Sequence, residues 1–348
     1  MAHEPKLEIY KLRLKNTKTN RAVPLREILR KKFNEYPIKQ YPKLERPVTE
    51  AGILSILYLD LIKKIDQEAF NKLESTKKGF TVASKTVEGK RLGEITYHSE
   101  TSMIHGILEG GKYGRKRVLR EVENKNQGSS IEPKHLVGDR FYFLLYTPLD
   151  EHTLILLIQG YTEVRISDAI TRFLRGYLKV HSMYSCEIEP FIPRRLKDQY
   201  INGATFKSLI FTSDWNIQGN FDDDITEKEY QLEVQIVIKD KSQEKARHKY
   251  YTGFLQQLGQ SVFKLAGLDG RTLEDFGSKR AKMESRGKEF PIHFDNENEI
   301  RPTILLTNEG IPVDDGLVPD FDAVDQYCKA LLEEIKDELN PANAVDRL

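Results

Sequence analysis

The clearest structural signal in the chain is the stretch FYFLLYTPLDEHTLILLIQ at residues 141–159. Two almost wholly apolar runs, Phe141–Tyr146 and Thr153–Gln159, flank the turn sequence TPLDE. Apolar runs of this length, bounded by turn residues, are typical of strands that are buried on both faces. The stretch therefore predicts a hairpin inside the core of the protein.

Two further elements are predicted around this hairpin. A helix follows it, capped by Ser167, with apolar side chains at helical spacing from Ile170 to Leu178 and basic side chains on the opposite face. Before it, Met103–Glu109 and Arg117–Val122 flank the glycine-rich sequence GGKYG and predict another hairpin. This order of elements predicts a sheet with a helix packed across it.

The remaining periodic segments complete the prediction of an α+β fold, with mainly antiparallel sheets and packed helices. Residues 53–65 fit either a helix or a buried strand. The predicted strands are Leu7–Lys15, Glu187–Ile192, Phe206–Thr212, Tyr230–Ile238, Pro291–Phe294 and Thr303–Thr307. The predicted helices are Leu25–Phe33, Leu196–Ile201, Tyr250–Leu265 and a long closing helix, Asp320–Leu339, and the Pro-rich residues 34–50 read as an extended connector.

Charge is distributed unevenly along the 348 residues. Residues 1–200 hold 36 Lys and Arg against 25 Asp and Glu, whereas residues 201–348 hold 18 against 28. A chain of this length exceeds the usual size of a single core. We therefore predict two domains: a basic α+β domain at residues 1–180, and an acidic α+β domain at residues 181–348 that ends in the long helix.

Composition excludes several classes of protein. The two cysteines, Cys186 and Cys328, form no CxxC motif, so neither a disulfide framework nor a zinc ribbon is supported. The N-terminus lacks an apolar signal core, and the longest near-apolar run is too short to span a bilayer. These features predict a cytoplasmic protein without direct membrane insertion and without a cofactor.

The strongest candidate for function is a cluster of cations in the glycine-rich segment. Five cations and one tyrosine at a hairpin tip are suited to clamping a phosphate backbone and stacking on a base or sugar: Lys112, Tyr113, Arg115, Lys116, Arg117 and Arg120. The alternative is a solvated basic hairpin, because charge runs are commonly exposed faces without a partner.

Two other basic segments could extend such a surface. Arg194 and Arg195 follow a strand at the start of a short helix, where backbone amides also favour anions. Helix capping or contacts with a partner protein explain them equally well. The basic run at residues 239–249 could extend a groove or only solubilise a loop.

An enzyme is the less favoured class. A metal-dependent nuclease needs converging carboxylates, and the only cluster to consider is Asp222, Asp223, Asp224, Glu229 and Glu233. Gln235 stands where such a site usually has a lysine, and no HxxxH, HExxH or GxSxG motif is present. We therefore assign no catalytic residue and no metal ligand.

The chain resembles RexA-type phage-exclusion proteins in two places. EIEPFIPRR at residues 187–195, followed by a spacer and FKSLIFT at residues 206–212, is similar to the centre of that family. LLTNEG at residues 305–310, leading into the helix around Tyr327, is similar to its C-terminus. The hairpin at residues 141–159 and the helix at residues 166–178 also look like those of uncharacterised bacterial proteins found among defence genes.

The resemblance covers roughly residues 100–340. It implies a cytoplasmic, dimeric, DNA-binding component of an antiphage, abortive-infection system that signals to a partner effector. The family supplies no established catalytic residues to carry over.

These observations favour a largely sequence-nonspecific nucleic-acid-binding component or sensor of an antiviral defence system. Duplex DNA is the first choice of ligand, RNA is the alternative, and a homodimer or higher homo-oligomer is expected. A second defence protein, such as a membrane protein, would be its partner. The alternatives are a metal-dependent nuclease effector, or an interaction module in which the basic half of one copy meets the acidic half of another.

Overall fold

A computed structural model of the chain describes residues 3–34, 49–88, 90–121, 123, 126–180, 182–202, 205–217, 228–237, 278–285, 288–293 and 303–339. These residues form both helices and strands. Every strand pairing in the described residues is antiparallel. The predicted α+β class is therefore confirmed.

The described elements are numbered in chain order. The helices are α1 (Leu25–Asn34), α2 (Glu50–Ile65), α3 (Ser167–Leu178), α4 (Arg194–Asn202) and α5 (Phe321–Leu339). The strands are β1 (Pro5–Asn16), β2 (Asn71–Leu73), β3 (Lys78–Val82), β4 (Ser84–Val87), β5 (Lys90–Gly93), β6 (Ile95–His98), β7 (Met103–Lys112), β8 (Arg117–Arg120), β9 (Gly128–Ile131), β10 (Val137–Tyr146), β11 (Thr153–Tyr161), β12 (Tyr184–Pro190), β13 (Thr205–Ile217), β14 (Lys228–Val237), β15 (Ser278–Ser285), β16 (Lys288–His293) and β17 (Ile304–Leu305).

The chain divides into two compact units. The first combines Met1–Phe191 with Ile304–Leu348, and the second is Ile192–Thr303. The first unit holds 36 cationic and 35 acidic residues and the second holds 18 of each, so the acidic closing segment balances the basic N-terminal residues within one unit. The assignment of residues 1–180 and 181–348 to separate domains stays a prediction.

The first unit is built on a large antiparallel sheet with the strand order β12-β1-β11-β10-β7-β3-β2. β17 pairs with β1, and β6 pairs with β7. The predicted hairpin at residues 141–159 is confirmed: β10 and β11 pair, with Phe143 opposite Ile158 and Tyr146 opposite Ile155. Their apolar residues are buried on both faces, as expected for strands at the centre of a covered sheet.

Helices cover both faces of this sheet. On one face, alternate residues of β10 such as Phe141 and Phe143 join a core that includes residues of α1, α2 and α3. On the other face, α5 packs on β10 and buries Val324, Cys328, Leu331, Leu332 and Ile335. The predicted closing helix is confirmed to within one residue, and the ambiguous residues 53–65 lie in a helix.

The predicted hairpin between Met103–Glu109 and Arg117–Val122 is wrong. β7 pairs with β10 on one side and with β3 and β6 on the other, whereas β8 pairs only with β9 in a separate two-stranded sheet. Gly111 lies in the ladder between β7 and β10, opposite Gly138. A side chain would not fit there, because a Cβ would stand 2.0 Å from the carbonyl oxygen of Val137. The glycines thus permit close strand approach rather than a turn.

Helix α3 has the predicted extent but not the predicted cap. The capping position is Ile166, which makes no side-chain cap bond, and Ser167 is the first helical residue. Ser167 is buried and its hydroxyl interacts with Glu8 on β1. The hydroxyl therefore joins the helix to the sheet instead of capping the helix.

The second unit contains a four-stranded sheet with the order β14-β13-β15-β16. It confirms the predicted strands around residues 206–212, 230–238 and 291–294, and α4 confirms the short helix after residue 193. Most of the Pro-rich connector, at residues 35–48, and the segments 239–249 and 250–265 lie outside the described residues. Among the described helices, none is both long and apolar enough to span a bilayer.

Candidate nucleic-acid interface

The basic segment forms the base and one strand of a ribbon rather than a hairpin tip. Beyond β7 the chain is tied down by two backbone bonds, from Tyr113 N to Lys77 O at 2.9 Å and from Gly114 N to Pro133 O at 2.8 Å. It then enters the β8–β9 pair, in which Arg117 lies opposite Ile131 and Arg120 opposite Gly128. Residues 121–127 connect the two strands, and they lie 11 to 13 residues further along the chain than GGKYG at residues 110–114. We call β8 and β9 the first ribbon.

Among the described residues, the strand β8 is exposed on both faces. All four residues of β8 are exposed, including Val118 at 61% and Leu119 at 54%. Successive side chains of a strand point to opposite faces, so each face carries one arginine and one aliphatic side chain. An isolated two-stranded hairpin is only marginally stable in water. Covering its exposed aliphatic groups with a partner would lower the free energy, because apolar surface leaves water.

The cations around the ribbon are exposed and outnumber the local acids. Between residues 110 and 135 the chain holds seven Lys and Arg against three Glu. The five predicted phosphate-binding cations are all exposed: Lys112, Arg115, Lys116, Arg117 and Arg120. Lys116 Nζ lies 3.6 Å from Glu132 Oε1, but both side chains are largely exposed, so this pair is easily exchanged for a phosphate.

Tyr113 belongs to the foot of the ribbon. Its ring lies between two lysines, with Lys72 Nζ at 5.7 Å and Lys77 Nζ at 5.8 Å from the ring centroid. Local burial, and then the neighbouring Glu74, raise the pKa of the Tyr113 phenol. The structure therefore shows this ring engaged in contacts that fix the ribbon base, and its stacking on a base or sugar stays a prediction.

Arg194 and Arg195 lie in the second unit, where they open α4 directly after Pro193. Both side chains are exposed, and Arg194 Nε stands 4.0 Å from Asp198 Oδ2 one helical turn later. They are the cationic first turn of a nine-residue helix. Their role in binding stays a prediction.

The acidic cluster that would serve a nuclease is only partly described. Asp222, Asp223 and Asp224 lie outside the described residues, and Glu229 and Glu233 are on β14, opposite Asn216 and Thr212 of β13. In the described part of the chain, no group of three or more His, Cys, Asp or Glu residues is placed to hold a metal ion. The nuclease alternative therefore rests on the sequence alone.

Sequence reasoning missed a half-buried polar cluster between α5 and the main sheet. Asp325 on α5 accepts hydrogen bonds from His105 Nδ1 at 2.8 Å and Tyr142 Oη at 2.7 Å, and Lys329 Nζ lies 2.8 Å from its other oxygen. Burial opposes its ionisation, but these three donors outweigh burial and hold the pKa of Asp325 well below its ordinary value. The cluster fixes α5 to β7 and β10.

Lys32 is a second group that the sequence did not single out. Its Nζ donates a hydrogen bond to the backbone carbonyl oxygen of Tyr177 at 2.7 Å. The same Nζ lies 3.2 Å from the centroid of the Tyr177 ring. Burial lowers the pKa of Lys32 to about 8, and Asp60 partly opposes that effect. The contacts place this lysine between α1 and α3, where it joins the two helices.

No protein-family model matches this chain, and a search of curated proteins finds no match. The resemblance to RexA-type proteins stays a prediction.

Proposed function

We propose that this protein binds nucleic acid through the first ribbon and the basic segment at its base, with little dependence on sequence. The single observation that supports this most is a bare ribbon that combines exposed aliphatic and cationic side chains. The major groove of B-DNA is wide enough to admit a two-stranded β-ribbon. Duplex DNA is therefore the first choice of ligand, with RNA as the alternative.

The chemistry of the ribbon favours phosphate and groove contacts over base reading. Arginine and lysine neutralise phosphates and release counterions, which supplies affinity without sequence information. The aliphatic groups Val118 and Leu119 lie on opposite faces of β8 and suit apolar contacts with the walls of the groove. In the second unit, Arg194 and Arg195 would add further phosphate contacts.

The biological setting is a further part of this proposal. We propose that the protein is a cytoplasmic, homodimeric component or sensor of an antiphage system, acting with a second defence protein. A plating assay tests this: cells that carry the native locus should resist phage, and a ribbon variant that no longer binds nucleic acid should lose resistance. Equal phage resistance in both strains would show that nucleic-acid binding by the ribbon is not needed for defence.

Salt dependence is the first test of the binding itself. We expect the affinity for a labelled duplex to fall on the order of a hundredfold between about 50 and 200 mM salt, because several phosphates are neutralised. Duplexes of unrelated sequence should bind within a few fold of each other. A flat salt response in a fluorescence anisotropy titration would overturn the proposal.

A triple charge reversal locates the surface. Arg115→Glu, Lys116→Glu and Arg117→Glu together should abolish binding, while the free energy of unfolding changes by about 0.5 kcal/mol or less per substitution. The matched control reverses three exposed cations elsewhere in the first unit, Lys18, Arg21 and Lys179. Loss of binding in both triple variants would indicate a general charge effect rather than a ribbon surface.

Nuclease activity is the alternative outcome. The purified protein should leave plasmid, single-stranded DNA and RNA intact in the presence of Mg²⁺ or Mn²⁺. Cleavage that disappears in Asp224→Ala or Glu233→Ala, while binding persists, would replace the sensor by an effector nuclease.

A further inference from the structure

The first unit carries a second bare ribbon, formed by β4 and β5. Lys85 lies opposite Leu92, and Val87 lies opposite Lys90. Directly opposed residues of an antiparallel pair share a face, so Lys85, Val87 and Leu92 point to the same side. Val87 is 42% exposed and Leu92 is 47% exposed. The second ribbon thus repeats the combination of aliphatic and cationic groups seen in the first.

The base of the second ribbon is firmly attached to the main sheet. Ala83 N donates to Ile107 O at 3.0 Å, and Ile107 N donates to Glu94 O at 2.8 Å. Gly106 makes this approach possible, because a Cβ there would lie 2.2 Å from the carbonyl oxygen of Glu94. The ribbon therefore leaves the sheet from the middle of β7, at a defined position.

Both ribbons leave the sheet at the β3–β7 pair. The first follows Lys112, which pairs with Lys78, and the second follows Val82, which pairs with Leu108. Four residues of β7 separate these points, which corresponds to roughly 14 Å along the strand. Half a turn of B-DNA spans about 17 Å, so the separation of the two ribbon bases along β7 is close to the distance between neighbouring grooves.

The net positive charge of the second ribbon favours a polyanion as its ligand. Residues 84–93 hold three cations and a single acid, Glu88. Arg91 is held at the edge of the ribbon by Ser84, with Nε to Oγ at 2.8 Å, and lies 3.6 Å from Asp66. The aliphatic face with Lys85 is left open to a partner.

We propose that the second ribbon is a second contact for the same duplex and enters the groove next to the one occupied by the first ribbon. This inference rests on the proposed function, because it assigns a further part of the binding surface to the same ligand. Two contacts on one duplex raise affinity through effective concentration only when the duplex is long enough to reach both.

Binding to one duplex of about 24 base pairs, which is long enough to reach both ribbons, tests this with the full chain. The variant Lys85→Glu, Val87→Ser, Leu92→Ser should bind this duplex at least tenfold more weakly than wild type, because only the contact of the first ribbon remains. Its salt slope should fall by about one per lost phosphate contact.

The control variant is Lys18→Glu with Leu59→Ser, which changes one exposed cation and one exposed leucine of 43% exposure outside both ribbons. It should bind the same duplex within a few fold of wild type. Should the triple variant unfold, Lys85→Glu alone still tests the salt slope. If wild-type protein binds no duplex, the proposed function fails; if it binds and the ribbon variant behaves like wild type, only the second contact fails.

Discussion

The β10–β11 hairpin and the first ribbon are neighbouring strand pairs in the chain, but their environments are opposite. Leu156 in β11 is fully buried, whereas Leu119 in β8 is 54% exposed. The hairpin is sandwiched between helices, while the ribbon residues of β8 contact solvent on both faces. Backbone pairing is the same in both, so the side chains and the elements that cover them decide which pair stabilises the fold and which is open to a partner.

The largest expected effect is on the free energy of unfolding, when a leucine is replaced by alanine in the buried hairpin and in the exposed ribbon. Leu156→Ala should lower the free energy of unfolding by about 3 to 5 kcal/mol, because it removes buried methyl groups and leaves a cavity. Leu119→Ala should change it by about 0.5 kcal/mol or less. Urea unfolding followed by circular dichroism measures both. Comparable losses would show that the ribbon is covered in the isolated protein.

A slightly smaller effect tests the glycine ladder that links the sheet to the ribbon. Gly111→Ala should cost about 2 to 3 kcal/mol, since its Cβ would stand 2.0 Å from Val137 O, and backbone atoms cannot move aside cheaply. The matched control is Gly176→Ala on α3, where a Cβ meets nothing within 4 Å. That change should stabilise the protein by about 0.5 to 1 kcal/mol, because alanine favours helix. Equal effects at the two glycines would contradict the close approach of β7 and β10.

The covering helix provides a pH-dependent test. Asp325→Asn should lower the free energy of unfolding by about 2 kcal/mol at pH 7, because the charged acceptor of three bonds is lost. The folded pKa of Asp325 is lowered, so its stabilisation is present above the unfolded value of 3.8 and is lost as pH falls further. In thermal melts the difference between wild type and variant should therefore stay constant down to about pH 4 and narrow progressively as pH falls further.

A constant difference between the two proteins from pH 7 to pH 3 would show that the Asp325 charge does not stabilise the helix. Asp322→Asn, in the exposed first turn of α5, is the control for substitution on the same helix. It should show little dependence on pH.

The smallest expected effect concerns the exposed ion pair of the ribbon. A double-mutant cycle with Lys116→Ala and Glu132→Ala should give a coupling below about 0.5 kcal/mol, which high salt removes. Stability measured by urea unfolding at low and high salt checks this. A coupling energy well above that value would show that the ion pair is strong. Lys116 would then have to give up Glu132 before it contacts a phosphate, which would weaken binding of nucleic acid.

Local sequence patterns predicted the elements but not all of their partners. The hairpin at residues 141–159 and the helices α3 and α5 follow from uninterrupted apolar periodicity, which is a local property. The pairing of β7 was not predicted, because Gly110 and Gly111 resemble a turn in sequence but permit a close approach of strands in the structure. β9 gave no signal, because Gly128-Ser129-Ser130-Ile131 lacks an apolar alternation.

The candidate site shows the same limit. The cations at residues 112–120 could be located from composition, but their position at the base and on one strand of a ribbon depends on β9, which pairs with β8 from the far side of a loop. The bond between His105 and Asp325 joins residues 220 positions apart, and neither stands in a recognisable motif. Contacts of this kind arise from tertiary packing and leave no local trace.

The position of α5 in the chain has a consequence for synthesis of the protein. α5 and β17 complete the first unit, yet they follow β11 and β12 by way of the entire second unit. A ribosome that adds about 5 to 20 residues per second needs roughly 10 to 30 s to move from Tyr161 to Phe321. During that interval the face of β10 that carries Tyr142 and Leu144 has no helix of its own to cover it, so nascent chains present a ready substrate for chaperones.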